Sequence, residues 1–215
     1  MREDRHPKLQ LAIDVFSLHE ALEIIGRVYP FVDIIELGTP LILSEGLGAV
    51  EIAKKRFPDK EFLVDIKLMD GGYVISAAAF KRGADIVSVL ARADNRTIAL
   101  AVDAAREWNK RVMVDMINED TLIGRAAELE MLGVSIFCVH TPYDRRGTEV
   151  NPLHEIEILR PHVSCLLAIA GGIRLEHTYE AVQAGADIII VGGGIISASD
   201  QRGMAKEIRA AMRGE

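Results

Sequence analysis

The segment Asp65-Ile66-Lys67-Leu68-Met69-Asp70 brings two carboxylates and an ammonium to the end of the apolar run Glu61 to Val64. On a strand, residues two apart share a face, so Asp65 and Lys67 are expected to point into one small volume. Asp70 lies three residues past Lys67, where the same face is no longer ensured. Alone, such a pair is compatible with an ordinary buried ion pair, which adds little net stability. Repetition along the chain gives it a chemical meaning.

Eight short, β-branched apolar runs recur: Leu9 to Ile13, Val32 to Leu37, Glu61 to Ile66, Asp85 to Leu90, Arg111 to Met116, Ser135 to Val139, Cys165 to Ala170 and Asp187 to Val191. Their C-terminal ends read Asp14, Glu36, Asp65 with Lys67, Leu90 followed by Arg92, Asp115, His140, Gly171-Gly172 and Gly192-Gly193-Gly194. Their starts are expected to carry no comparable cluster. Charges gathered at one end of a sheet must be paired, coordinated or functional.

Glu36, Asp65 and Asp14 are hard oxygen donors, suited to Mg2+ or Mn2+ rather than zinc. A divalent cation, a lysine and a nearby acid or base together suit formation of an enediolate beside a sugar ketone, where positive charge stabilises the developing anion. His140 closes a strand, whereas His6, His19, His154, His162 and His177 fall in the N-terminal tail or on helices and loops. Histidine titrates near neutrality, so His140 is the candidate for moving a proton to or from carbon. The glycine clusters follow the last two runs, where backbone N–H groups can approach a phosphate closely. No P-loop and no G-x-G-x-x-G near the N-terminus supports a nucleotide site.

Between the runs lie helical patterns such as Ile98, Ala101, Val102 and Ala105, which form one apolar stripe. Alternating apolar strands and helices predict a parallel sheet covered by helices. Eight such units in 215 residues suit a closed (β/α)8 TIM barrel of the α/β class, spanning 1–215 as a single domain with a polar tail over 1–8. A doubly wound open sheet is the alternative. Gly83-Ala84-Asp85 and Gly185-Ala186-Asp187 repeat a helix-stop to strand-start device, with Leu132-Gly133-Val134 as a third version.

A net charge of −7 without a basic block argues against nucleic acid or an anionic membrane as partner. No apolar stretch approaches the roughly 20 residues of a membrane span, so a cytoplasmic protein is expected. Cys138 and Cys165 read as reduced core thiols.

Leu9-Gln10-Leu11-Ala12-Ile13-Asp14, Ile35-Glu36-Leu37-Gly38-Thr39-Pro40, Asp65 to Gly72, Val114-Asp115-Met116-Ile117, Val139-His140-Thr141 and Ala170-Gly171-Gly172-Ile173 together resemble the 3-hexulose-6-phosphate synthase family. That family lies in the orotidine 5′-monophosphate decarboxylase superfamily, whose D-x-K-x-x-D motif stands here at Asp65, Lys67 and Asp70. The resemblance implies an Mg2+-dependent aldol addition of formaldehyde to D-ribulose 5-phosphate, with Mn2+ as a possible substitute. Glu36 and Asp65 would hold the metal, Lys67 would stabilise the enediolate and His140 would transfer protons. Asp14, Asp115 and Thr39 would contact substrate, and the backbone of Gly171, Gly172, Gly192 and Gly193 would hold the phosphate. It further implies a homodimer in which Asp70 reaches into the partner's site.

The competing pattern is that of 3-keto-L-gulonate-6-phosphate decarboxylase, which places arginines where this chain has Tyr143 and Gly193, and tends to Glu and Ala at Asp115 and Met69. All four residues favour the synthase. A non-catalytic sugar-phosphate-binding barrel is a third reading, disfavoured by the intact Asp65, Lys67 and Asp70. Arg92 and the loop Thr141 to Gly147 depart from the synthase pattern. Arg92 reads either as a surface ion pair or as an extra anion contact. Pro142 restricts the loop and suggests a lid that closes differently.

Overall fold

Each of the eight apolar runs forms a strand in the computed structural model, which describes residues 6–145 and 152–215. The strands are β1 Lys8–Ile13, β2 Ile34–Leu37, β3 Glu61–Leu68, β4 Ile86–Leu90, β5 Arg111–Asp115, β6 Ile136–His140, β7 Leu166–Ala170 and β8 Ile188–Val191. All pair in parallel, and β8 returns to β1 to close the barrel. Closure excludes the doubly wound sheet. Helices α1 Leu18–Val28, α2 Thr39–Glu45, α3 Gly48–Arg56, α4 Gly72–Lys81, α5 Asn95–Glu107, α6 Leu122–Met131, α7 Pro152–Leu159, α8 Leu175–Gln183, α9 Gly193–Ile196 and α10 Gln201–Ala211 fill the connections. The stripe Ile98, Ala101, Val102 and Ala105 is the buried face of α5, which begins where the Asp94 carboxylate accepts from Arg96 N–H at 2.8 Å. Among the described residues, no helix is long and apolar enough to cross a membrane.

Alternation along each strand separates two packed regions. Leu9, Leu11, Ile35, Leu37, Phe62, Val64, Val87 and Val89 belong to the larger core shared with the helices. Ile34, Leu63, Ile86, Met113, Ile136, Cys138, Ala168 and Ile188 fill the barrel interior. Two residues further toward the C-terminal ends, this inward series turns polar: Glu36, Asp65, Ser88, Asp115 and His140 follow Ile34, Leu63, Ile86, Met113 and Cys138 at the same parity. The period that builds the core therefore also aims the polar groups at the mouth.

The strand starts are not bare, contrary to the expectation above. Glu61 pairs with Lys8 and Arg111, Asp85 with Lys54 and Lys110, Asp187 with Arg160, and Asp33 with Arg209. Asp33, Asp85 and Asp187 each accept a backbone N–H from the preceding strand of the ring, from Leu9, Phe62 and Leu167 respectively. The difference between the rims is pairing, since each of these acids has at least one basic partner whereas acids predominate at the mouth. Gly83 and Gly185 stop their helices with φ of 100° and 104°, which places Asp85 and Asp187 for this repeated contact. A recess of about 380 Å3 at this end, lined by Arg111, Glu130, Ser164 and Cys165, holds satisfied groups, with Glu130 accepting from Ser164 and Cys165 N–H.

Burial alone would raise the Asp85 carboxyl, but hydrogen bonds from Lys110, Lys54 and Phe62 N–H hold it below its ordinary value. Its stabilising contribution is therefore complete above the unfolded value of about 3.9 and is lost as pH falls through the lower folded value. Asp85→Asn is expected to cost about 2–3 kcal/mol at neutral pH, the scale set by leaving partly buried partners without their charge. Chemical denaturation checks this, and the deficit should shrink in acid.

Candidate active site

Lys67 is the centre of the mouth. β3 pairs regularly with β4 through Val64–Val87, then resumes at Leu68–Val89, so four steps on β3 face two on β4. The extra chain is taken up at Lys67, whose φ of 42° is left-handed. Asp65 and Lys67 do meet, with Nζ 3.0 Å from Oδ2, but across a bulge rather than through the regular alternation expected from their spacing. Lys67 Nζ also lies 3.2 Å from Asp115 Oδ2. Burial would lower the lysine's pKa, but the charges and hydrogen bonds of Asp65 and Asp115 more than offset it and hold it above its ordinary value. Lys67 is therefore an ammonium at neutral pH, an electrostatic group rather than a base.

Asp115, at the end of β5, is buried and accepts from Ile117 N–H at 3.0 Å. Its Oδ2 is 3.0 Å from His140 Nδ1 at the end of β6. Burial pushes its carboxyl up, but the hydrogen bond and charge of His140, then Lys67, keep it below the usual value. An ionised Asp115 fixes the proton of His140 on Nδ1, which leaves the Nε2 lone pair able to accept a proton.

Glu36 occupies the end of β2 and accepts from Gln10 Nε2 at 2.6 Å. Burial raises its pKa to about 8, with the Asp65 and Asp14 carboxylates adding to the shift and the Gln10 hydrogen bond opposing it. Gly38 admits this crowding, because a Cβ there would overlap the Asp14 carboxylate and stand 2.7 Å from Ile13 O. A site with this excess of acid suits a hard divalent cation. Among the described residues no three His, Cys, Asp or Glu side chains converge as a metal cage. Glu36 and Asp65 as a pair fit Mg2+, which is usually bound by one or two carboxylates with substrate and water completing the shell.

The remaining expected residues divide. Thr39 starts α2 with its hydroxyl 2.8 Å from Asp65 Oδ2 and 3.0 Å from Asp65 O, so it faces the carboxylate. Gly171 and Gly172 follow β7 with φ of 97° and 78°, and a Cβ on Gly171 would stand 2.7 Å from Thr141 N. Gly192 follows β8 and Gly193 opens α9, so both glycine clusters lie at the mouth. Asp70 stands apart: it is exposed past the end of β3 and accepts from Gly71 N–H at 2.7 Å. Arg92 takes the ion-pair reading, with Nη2 2.7 Å from Asp120 and Nε donating to Asn118 O. In the loop after β6, Tyr143–Arg145 form a 3-10 turn, whereas Arg146 and Gly147 lie outside the described residues.

Two site residues escaped the reading of strand ends. Ser88 and Gln10 are buried polar residues inside otherwise apolar strands. Ser88 Oγ donates to Asp65 Oδ1 at 2.7 Å and accepts from Lys67 N–H at 2.9 Å, while Gln10 holds Glu36. Their signal was a polar side chain at inward parity within an apolar run.

The Orotidine 5'-phosphate decarboxylase / HUMPS family matches residues 7–208. Curated relatives named 3-hexulose-6-phosphate synthase include one from Bacillus subtilis (strain 168), 42% identical over 94% of this chain and 97% of the relative. Another, from Mycobacterium gastri, is 43% identical over 95% and 99%. A crystal structure of 3-hexulose-6-phosphate synthase superposes with a TM-score of 0.90 at 42% identity, covering 95% of this chain and 99% of that one. A structure of KGPDC from Streptococcus mutans in complex with D-R5P gives 0.91 at 25% identity, covering 97% and 98%. With its closed barrel and the Asp65-Lys67-Asp115-His140 chain at the mouth, the protein belongs to the orotidine 5′-phosphate decarboxylase / HUMPS family.

Proposed function

We propose that this carbon–carbon lyase condenses formaldehyde with D-ribulose 5-phosphate to D-arabino-3-hexulose 6-phosphate. The observation that carries the reading is the Lys67 ammonium held between Asp65 and Asp115, with Asp115 bound in turn to His140. It is supported by whole-chain identity of 42–43% to relatives named for this activity. Mg2+ held by Glu36 and Asp65 would supply positive charge to the sugar oxygens beside the reacting carbon. His140 Nε2 takes the C1 proton, and the Lys67 ammonium stabilises the enediolate that forms. Nucleophilic C1 then bonds to the formaldehyde carbon, which becomes C1 of the product, and the resulting alkoxide takes up a proton. Asp14 and Thr39 line the sugar side, and the glycines after β7 and β8 offer backbone to the phosphate.

The active form is a cytoplasmic homodimer. The dimer is supported by the exposed apolar surface around Asp70, where Met69 and Val74 are 49% and 73% exposed. Incubating the protein with Mg2+, ribulose 5-phosphate and formaldehyde should consume formaldehyde with a new hexulose phosphate as product. Consumption no faster than in protein-free buffer would sink the reading. Release of CO2 from 3-keto-L-gulonate 6-phosphate would point to the decarboxylase instead.

A further inference from the structure

Lys67 is a left-handed residue inside a strand, a conformation that L side chains avoid unless the surroundings impose it. The bulge around it interrupts the β3–β4 ladder between Val64 and Leu68, so the Lys67 N–H needs a partner other than a β4 carbonyl. Ser88 provides it. Its side chain points inward from β4, is 4% exposed, and accepts from Lys67 N–H at 2.9 Å. The single hydroxyl proton goes to Asp65 Oδ1 at 2.7 Å. One buried oxygen thus ties the backbone of Lys67 to the carboxylate of Asp65.

We infer that Ser88 is a positioning residue. It holds the left-handed turn at Lys67 and one oxygen of Asp65, thereby setting the direction of the ammonium and the carboxylate together. Thr39 also binds Asp65, through Oδ2 and the main-chain oxygen, but no bond from Thr39 reaches Lys67. Asp115 orients the Lys67 head group without touching its backbone. Ser88 therefore performs a task that its neighbours do not duplicate. Without it, the strand could relax toward a regular ladder and turn the ammonium away from Asp115.

The inference rests on the proposed function for its turnover and Mn2+ measurements, whereas a crystal structure of the variant depends on neither. Ser88→Ala and Ser88→Thr would be compared with wild type by Mn2+ titration, by kcat and KM for ribulose 5-phosphate, and by thermal unfolding. Loss of an outer-shell hydrogen-bond partner is expected to cost Ser88→Ala about 10–100-fold in Mn2+ affinity and in kcat. KM for ribulose 5-phosphate should stay within about threefold, because the phosphate contacts are remote. Ser88→Thr, which keeps the hydroxyl, should recover both losses. If Ser88→Ala does not fold, the near-isosteric Ser88→Cys replaces it, and the same losses are expected because its thiol is a weak partner.

Mn2+ affinity and kcat in the Ala or Cys variant within about twofold of wild type would overturn the inference, as would a Thr variant as impaired as the Ala. Should wild type show no turnover, the functional reading fails separately. A crystal structure of Ser88→Ala then decides, because retention of the left-handed Lys67 and the Asp65 orientation would overturn the positioning role.

Discussion

Lys67→Ala should abolish formaldehyde consumption, lowering kcat/KM by about 10³-fold or more, the scale for removing a preorganised group that stabilises developing charge. Nearby groups cannot take over this role. Asp65, Asp115 and Glu36 are acids, and His140 is engaged through Nδ1 with Asp115. The loss should fall on kcat, because the ammonium matters most when negative charge appears on the enediolate. The same substitution removes the charge that helps hold Asp115 low, so the folded protein should also lose stability at neutral pH. In wild type the Asp115 contribution is present above about 3.9 and fades as pH falls through its depressed folded value. In the variant that acid dependence should flatten. Steady-state kinetics with parallel thermal scans across pH tests both parts; turnover within tenfold of wild type would remove Lys67 from the chemistry.

Mixing two inactive variants, Lys67→Ala and Asp70→Ala, should restore activity if the motif is split between subunits. A mixed dimer then has one site with both defects and one with neither. Random exchange makes about half the dimers mixed, so about a quarter of wild-type activity is expected. If Asp70 served its own chain, each site in the mixed dimer would carry one defect and nothing would return. Asp70 is exposed beyond β3 and binds Gly71 N–H, away from the Lys67 contacts, while Met69 and Val74 beside it are exposed apolar groups. Refolding the variants together, with each alone as control, measures the outcome directly.

Much of this architecture was legible because buried parallel strands and the helices that cover them leave different local patterns. Short, near-continuous β-branched apolar runs marked every strand, and a period of 3.6 marked the buried stripe of α5. Reading the C-terminal ends of those runs also delivered Glu36, Asp65, Asp115 and His140 to one mouth, and ordered motifs along almost the whole chain pointed to the family. The charged strand starts were misjudged because a sequence shows where charges lie but not which are paired. Asp85 and Arg111 look alike on the page whether or not Lys110 and Glu61 fold against them.

Other features depended on the closed barrel. No local pattern predicts that β3 carries two extra residues against β4, because that mismatch is a property of the neighbouring strand's register. Only there does Lys67 acquire its left-handed turn and Ser88 its two partners. The identity of Arg92 as a loop brace came equally from a contact 28 residues away in sequence. By itself, then, the chain determined the fold, the family and the acids of the mouth, which follow from local periodicity and residue type. Tertiary structure decided how Lys67 is turned, held and charged, because those depend on groups that meet only when strands far apart in sequence become neighbours.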